Sequence, residues 1–279
     1  MKKVLFTTDF WKEDGVGGAE SNDDNLLRYL SEYYELTGCN TFYLTEKIID
    51  DADFIIVSNF IHLPSELKEH IQKTKPYIIY EHDHKYVRNR DPSVYVDFMV
   101  PPDQKINESF YINARRVFVL SKICKEVLEK NIPEANVYSI GCSLWSDETF
   151  DYIEELLNEE KTNDLCILKS ENPIKNYYKS LVYCEENNIV PLELKEPDYR
   201  KFLKKMASCK RFLFIPGVLE TFSRVSAEAK MLNLELLTSP KKLGLYSEDI
   251  SSLSGLDLIE QLRTRNQAAL EEFKNELGL

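Results

Sequence analysis

RFLFIPGVLETFSRVSAEAKMLNLELLTS, residues 211–239, holds in one run a strand, a loop, a helix and a second strand. RFLFIP (211–216) is an apolar run of strand length closed by Pro216 and Gly217. SRVSAEAKMLN (223–233) carries Val225, Ala229 and Leu232 at i, i+4 and i+7, the stripe of a helix with one buried side, and Ser223 stands where an N-cap is needed. LELLTS (234–239) is strand-like again. Strand, helix and strand in this order make the repeating unit of a parallel sheet. At ~100° per residue Glu228 falls about 40° from Leu232, so its carboxylate borders the core and needs hydrogen-bond donors, which sugar hydroxyls or a ribose would supply. Glu220 lies in the loop before the helix, where a merely solvated glutamate is an equally good reading.

The same alternation extends outward in both directions. Toward the N-terminus LCILKS (165–170) reads as a strand, NYYKSLVYCEENN as a helix, VPLEL as a strand and YRKFLKKMASC as a helix. The first half opens with the strand KKVLFTT (2–8), then a helix from Asn22 to Tyr34 with Leu26, Leu27, Leu30 and Tyr34 at helical spacing. TFYL (41–44), FIIVSNF (54–60), YIIYE (77–81), RRVFVLS (115–121) and NVYSIG (136–141) continue as strands, with the helix KICKEVLEKN between the last two. The acidic stretch 146–164 looks like the connection between halves, and residues from Leu256 to about Leu277 form a polar amphipathic helix. The expected architecture is therefore α/β. It comprises an N-terminal parallel-sheet domain over 1–150, a second over 151–255, and a C-terminal helix over 256–279 that lies back on the first. Two such domains facing across a cleft place chemistry at the carboxyl ends of their strands.

Composition bounds the function. At 279 residues, 43% hydrophobic and 29% charged, the chain is long enough for about two ordered domains. Its formal net charge of −12 repels phosphate backbones and anionic lipid, which disfavours a broad nucleic-acid footprint. The apolar part of the N-terminus is too short for a signal peptide, and nowhere do about 18 apolar residues run together, so a cytoplasmic protein without a membrane span is expected. The six cysteines are scattered without a CxxC pair and read as small buried side chains.

Three strand exits concentrate polar chemistry. DFWKEDGVGGAE (9–20) brings Gly15, Gly17 and Gly18 together ahead of a helix, so that backbone N–H groups can approach an anion; a turn needing glycine for geometry alone reads the same way. The dinucleotide fingerprint GxGxxG is not met. YIIYEHDHKYVRNRDP (77–92) sets Glu81, His82, Asp83 and His84 at a strand end, with two of the four histidines of the chain. A His-x-His pair on a strand points to one side and suits a metal, but no third ligand is evident, and a hydrogen-bonding or acid–base histidine fits better. LCILKSENPIKNYYKS (165–180) leaves its strand with Lys169 and Lys175 on either side of a proline, two point charges suited to a diphosphate or two ordinary surface lysines.

Taken together these segments resemble a known family. IPGVLETFSRVSAEA is similar to the E-x7-E segment of retaining GT-B glycosyltransferases of the family-four type, the large sucrose-synthase and mannosyltransferase-like group. GVGGAE resembles that family's GGxE loop, and ARRVFVLSKICKEVL with NVYSIGCSLWSDETF and LKSENPIKN resembles its other strand exits in the same order. The resemblance implies the GT-B fold, a nucleotide sugar (UDP- or GDP-activated) as donor substrate, no cofactor and no required metal. By position it implies Glu228 on the donor ribose, Glu220 on the transferred sugar, Lys169 and Lys175 on the diphosphate, and His82 beside the reacting sugar. It further implies Gly17 and Gly18 near the phosphate, backbone N–H groups of Phe222, Ser223 and Arg224 at the helix start, and Asp9, Glu20, Asp83 and His84 on the acceptor side. Thr221 and Ser223 stand where the family commonly has glycine.

The implied activity is transfer of a hexosyl or pentosyl group to an acceptor hydroxyl on a glycan, a lipid or a modified nucleic-acid base. A catalytically silent GT-B-like binding subunit and a sugar-nucleotide epimerase or hydrolase are the alternatives. For the nucleic-acid variant the relevant cations are the run KEPDYRKFLKKMASCKR (195–211) with Arg88, Arg90, Arg115 and Arg116, unless they line solvated faces.

Overall fold

The computed structural model describes residues 1–13 and 17–278 of the chain, so Gly15 lies outside the described residues. These residues group into two compact units, Met1–Leu144 with Asn266–Leu279, and Trp145–Arg265.

In the first unit the strands are β1 (Lys3–Thr8), β2 (Glu35–Asn40), β3 (Phe54–Val57), β4 (Tyr77–Glu81), β5 (Arg116–Val119) and β6 (Val137–Ser139). Between and after them run α1 (Gly18–Leu30), α2 (Glu46–Asp50), α3 (Ser65–Thr74), α4 (Glu108–Ile112) and α5 (Lys122–Asn131). The pairings between these strands are all parallel, in the order β2-β1-β3-β4-β5-β6. FIIV and YIIYE are buried at every position, as strands covered by helices on both faces must be. The second strand departs from the sequence reading. It is ELTGCN, and Thr41–Tyr43 forms a single 3-10 turn. β2 is an edge strand, half exposed along its length, so it carries no apolar run for a hydrophobic pattern to find.

In the second unit α6 (Asp147–Glu155) precedes β7 (Asn163–Leu168), α7 (Tyr177–Glu186), β8 (Leu192–Leu194), α8 (Tyr199–Ala207), β9 (Cys209–Phe214), α9 (Arg224–Met231) and β10 (Glu235–Thr238). The sheet order is β10-β9-β7-β8, again parallel. Asp198 starts α8 by accepting from the Lys201 N–H at 3.0 Å, and Ser146 does the same for α6 through Thr149.

The last helix, α10 (Gly255–Leu277), buries Leu258, Leu262, Asn266, Ala269, Phe273 and Leu277, a stripe of three- and four-residue steps. Its C-terminal part belongs with the first unit. Phe273 stacks on Phe118 with ring centres 4.0 Å apart, the Tyr34 hydroxyl donates to the Lys274 carbonyl at 3.0 Å, and Arg115 and Arg116 both pair with Glu276.

Candidate functional site

Each sheet winds outward in both directions from one pair of neighbouring strands. In the first unit that pair is β1 and β3, in the second β7 and β9. Loops leaving the carboxyl ends of such a pair turn away from each other and open a crevice, the usual ligand position in an open parallel sheet.

In the second unit the crevice is built from the loops 169–176 and 215–223. Gly217 donates its N–H to the Ile174 carbonyl at 2.9 Å, and a Cβ at this position would sit 3.0 Å from that oxygen, so glycine permits the approach. The approach brings Lys175 onto Glu220, Nζ to Oε1 at 2.7 Å, both largely screened from solvent. The Glu220 backbone is pinned in turn, its N–H donating to Lys242 and its carbonyl accepting from Gly244. Lys169 is not gathered into this pair: it is exposed and its ammonium is committed to Glu193 on β8.

The chain enters α9 through Ser223, whose φ of 71° is the left-handed conformation that favours glycine. This serine is the N-cap residue by position, but its hydroxyl meets Ser226 Oγ at 2.8 Å and does not cap a helix N–H. Its backbone therefore holds the shape a glycine would give. The Phe222 side chain is fully buried, with its ring edge-on to Trp145.

One turn into α9, Glu228 is 2% exposed. Its Oε1 accepts from the Trp145 indole N–H at 3.0 Å and from the Tyr199 hydroxyl at 2.5 Å, and the Arg224 guanidinium stands 3.5 Å away. Arg224 also lies over the Trp145 ring at 4.7 Å and reaches the Tyr199 hydroxyl. Burial, and then the Glu228 charge, push the Tyr199 phenol up, so at neutral pH it is a donor. The core-bordering carboxylate read from the helix period is thus present, with donors from within the unit. Trp145 and Tyr199 were not singled out by sequence. Trp145, one of two tryptophans, follows a strand exit and offered a signal; Tyr199 offered none.

In the first unit His82 is buried and its Nε2 lies 3.1 Å from Asp23 Oδ1. A carboxylate only accepts, so the contact is an Nε2–H donating to Asp23. Asp23 is itself fixed by the Ser58 hydroxyl at 2.7 and 2.8 Å. The signal for Asp23 was the buried stripe of α1, on which it stands three residues before Leu26 and seven before Leu30. Glu20 closes the same corner. Its carboxylate folds back over Gly17, where a Cβ would lie 2.0 Å from Oε2, so a side chain at 17 would evict it. Burial pushes the Glu20 carboxyl up, and the nearby Asp23 charge pushes it the same way. Gly18 opens α1.

His82 and His84 lie beyond the strand. β4 ends at Glu81, His84 has φ 57°, and its Nδ1 faces the Tyr86 hydroxyl at 3.2 Å, so strand alternation no longer applies. Among the described residues no group of three or more His, Cys, Asp or Glu side chains is arranged to hold a metal. Beside them lies a buried ionic network that sequence reading missed in Lys85. Its ammonium reaches Glu81 at 2.7 Å and Asp83 at 2.8 Å, Glu81 accepts from the Tyr111 hydroxyl, and Arg90 holds the outer oxygen of Asp83. Burial pushes the Asp83 carboxyl up, but Lys85 and Arg90 outweigh it and hold it at about 2.

Asp9 is 1% exposed and spends both carboxylate oxygens inside the unit. Oδ1 accepts from the Thr41 hydroxyl and the His62 N–H, and Oδ2 from the Ile61 N–H at 2.7 Å. It ties together the exits of β1, β2 and β3.

The basic run 195–211 is largely neutralised by carboxylates: Lys195 by Glu171, Lys204 by Glu159, Lys205 by Glu196 and Arg211 by Asp164. Arg90, Arg115 and Arg116 are likewise paired. Among the described residues no helix is long and apolar enough to cross a membrane.

No protein-family model and no curated protein matches the sequence. Solved structures do match in fold. HepE of Anabaena in complex with UDP aligns with TM-score 0.53 and 12% identity, over 99% of this chain and 100% of that one. A UDP-GlcNAc 2-epimerase of Methanocaldococcus jannaschii, in complex with UDP-GlcNAc and UDP, aligns with TM-score 0.52 and 14% identity over 97% and 93%. A glycosyltransferase of Rickettsia africae aligns with TM-score 0.51 and 11% identity over 99% of each chain. The chain has the GT-B fold of two parallel-sheet α/β units.

Proposed function

We propose that this protein is a glycosyltransferase that moves a sugar from a nucleotide-activated donor, UDP-linked in the first instance, to an acceptor hydroxyl. The observation that carries the reading is the constellation at the β7/β9 switch point: Lys175 on Glu220, directly before a helix whose first turn is entered in a glycine-like conformation and whose second turn presents buried Glu228. Each part has a task in nucleotide-sugar chemistry. Glu228, with Oε1 held by Trp145 and Tyr199, accepts from the ribose hydroxyls through its other oxygen. Lys175 and the first N–H groups of α9 stabilise the charge that builds on the departing diphosphate. Glu220 accepts from hydroxyls of the transferred sugar. The acceptor oxygen bonds to the anomeric carbon as the bond from that carbon to the phosphate oxygen breaks, and the acceptor proton leaves with the nucleoside diphosphate. Attack from the leaving-group side gives retention.

UDP occupies solved structures of this fold, which supports UDP over GDP. Lys169, if it contributes, must first leave Glu193. His82 is assigned a place beside the reacting sugar, and Glu20 the acceptor side. A family-four assignment rests on the E-x7-E spacing of Glu220 and Glu228 and on the Gly17–Glu20 loop.

A second reading, sugar-nucleotide epimerase, is favoured by the similarity to the Methanocaldococcus enzyme. Incubation with UDP-glucose and UDP-N-acetylglucosamine, with and without a mixed panel of glycan acceptors, separates the two by product. Release of UDP with a new glycoside supports transfer. A changed sugar still joined to UDP supports epimerisation, and an unaltered donor under all conditions contradicts both.

A further inference from the structure

Within the first unit, the loops that Asp9 ties together carry exposed rings. Phe10 follows β1, Phe42 follows β2, and His62 lies beyond β3, neighbours in the strand order β2-β1-β3. Phe42 and His62 stack with centres 4.6 Å apart at 28°, and Phe10 meets each of them edge-on at 6.1 Å. Phe10 is 44% and Phe42 53% exposed, and Ile61 and Tyr43 beside them are exposed too. Large apolar side chains are normally tucked against something, and here three rings are held in mutual contact while still facing solvent. Their loops are not loose. Besides the Asp9 carboxylate bonds, Asn40 donates to the Asp9 carbonyl at 3.1 Å, and the Trp11 indole donates to Asn40 at 2.7 Å.

We propose that Phe10, Phe42 and His62 form a stacking platform for a neutral carbohydrate, and hence that the acceptor is a glycan. The inference rests on the transferase reading and names its acceptor class. One face of a pyranose ring is a patch of C–H groups that suits the negative face of an aromatic ring, and the hydroxyls at its rim want polar partners. Those partners stand close in sequence, in the His62 imidazole and the exposed Tyr43 hydroxyl. The charge pattern selects against the other occupants. The platform segments carry Lys12 with Glu13, and Lys47 with Glu46, Asp50 and Asp51, so they offer no basic rim for phosphate or anionic lipid, on a chain of net charge −12. Lys12 is already paired with Asp24 at 2.8 Å.

The test titrates the full chain with neutral oligosaccharides of gluco, galacto, manno and N-acetylglucosamine type, following binding by ligand-observed NMR, alongside UDP by calorimetry. Phe42→Ala and Phe10→Ala truncate exposed rings, so both variants are expected to keep the wild-type melting temperature and UDP affinity. At least one oligosaccharide is expected to bind the wild type and to bind Phe42→Ala about tenfold more weakly, the loss of one ring contact. Binding of no oligosaccharide by the wild type, or binding by both variants as tight as by the wild type, overturns the proposal. So does wild-type binding to phosphatidylglycerol vesicles that Phe42→Ala abolishes, which would make the platform a lipid contact. In the wild type, oligosaccharide binding without UDP binding would overturn the donor reading and leave the platform standing, and UDP binding without oligosaccharide binding overturns the platform alone.

Discussion

Lys85 shows how much a single side chain carries at the exit of β4. It is 2% exposed and lies between two carboxylates, Glu81 and Asp83, with the Phe60 ring 5.2 Å from its ammonium. Replacing it by methionine would leave Glu81 buried and unpaired, and removal of one partner from a buried ion pair costs about 3–5 kcal/mol. Urea denaturation of Lys85→Met is expected to show a loss of that order, well beyond an ordinary surface substitution. The network also sets a pH dependence. Glu81 is held below its usual value although its burial alone would raise it, because Lys85 and the Tyr111 hydroxyl hold its ionised form. Asp83 is held at about 2. Carboxyls depressed in the folded state give stability that is complete above their unfolded values near about 4 and is lost as pH falls toward the folded ones. The urea midpoint is therefore expected to fall steeply between about pH 4 and pH 2. In Asp83→Asn that slope should be shallower. At this scale the sequence was partly legible. EHDHK announced a cluster of charges, but a lysine inside it looks like any surface lysine until the fold closes around it.

Elements were legible where burial imposes a period. β3, β4 and β9 are apolar runs between helices, and α9 announced itself through Val225, Ala229 and Leu232. β2 was not, because an edge strand with Gly38 and three exposed residues has no period to read, and TFYL beside it looked more strand-like than ELTGCN. The start of α9 taught a different lesson. Ser223 stands where the family resemblance leads one to expect glycine, and with φ 71° it adopts the left-handed conformation that glycine favours. A left-handed conformation costs a non-glycine residue roughly 1–2 kcal/mol. Ser223→Gly is accordingly expected to leave thermal stability unchanged or to raise it by up to about 1 kcal/mol, whereas Ser223→Val should lower it by more than that. A marked loss in Ser223→Gly would mean that the Ser226 hydroxyl contact matters more than the backbone.

At the scale of the whole molecule, alternation of strands and helices gave two parallel sheets from sequence alone, and the strand order explains why Lys175 and Glu220 sit at the β7/β9 pair. What the sequence could not give was partnership: that Glu228 is gripped by Trp145 and Tyr199, that His82 answers to Asp23, and that Lys169 and Lys175 go to different carboxylates. These pairs join residues far apart in the chain, and no local spacing encodes them. The central claim is that the second unit holds a nucleotide sugar through Lys175, Glu220 and Glu228. Calorimetric titration of UDP into the wild type and into Glu228→Gln tests it most directly, since glutamine keeps the shape of the site and an acceptor for Trp145 while removing the charge and one acceptor oxygen. Saturable binding to the wild type, weakened at least about tenfold in folded Glu228→Gln, is the predicted result. Equal affinity in the two proteins, or no binding of UDP to the wild type, would contradict it.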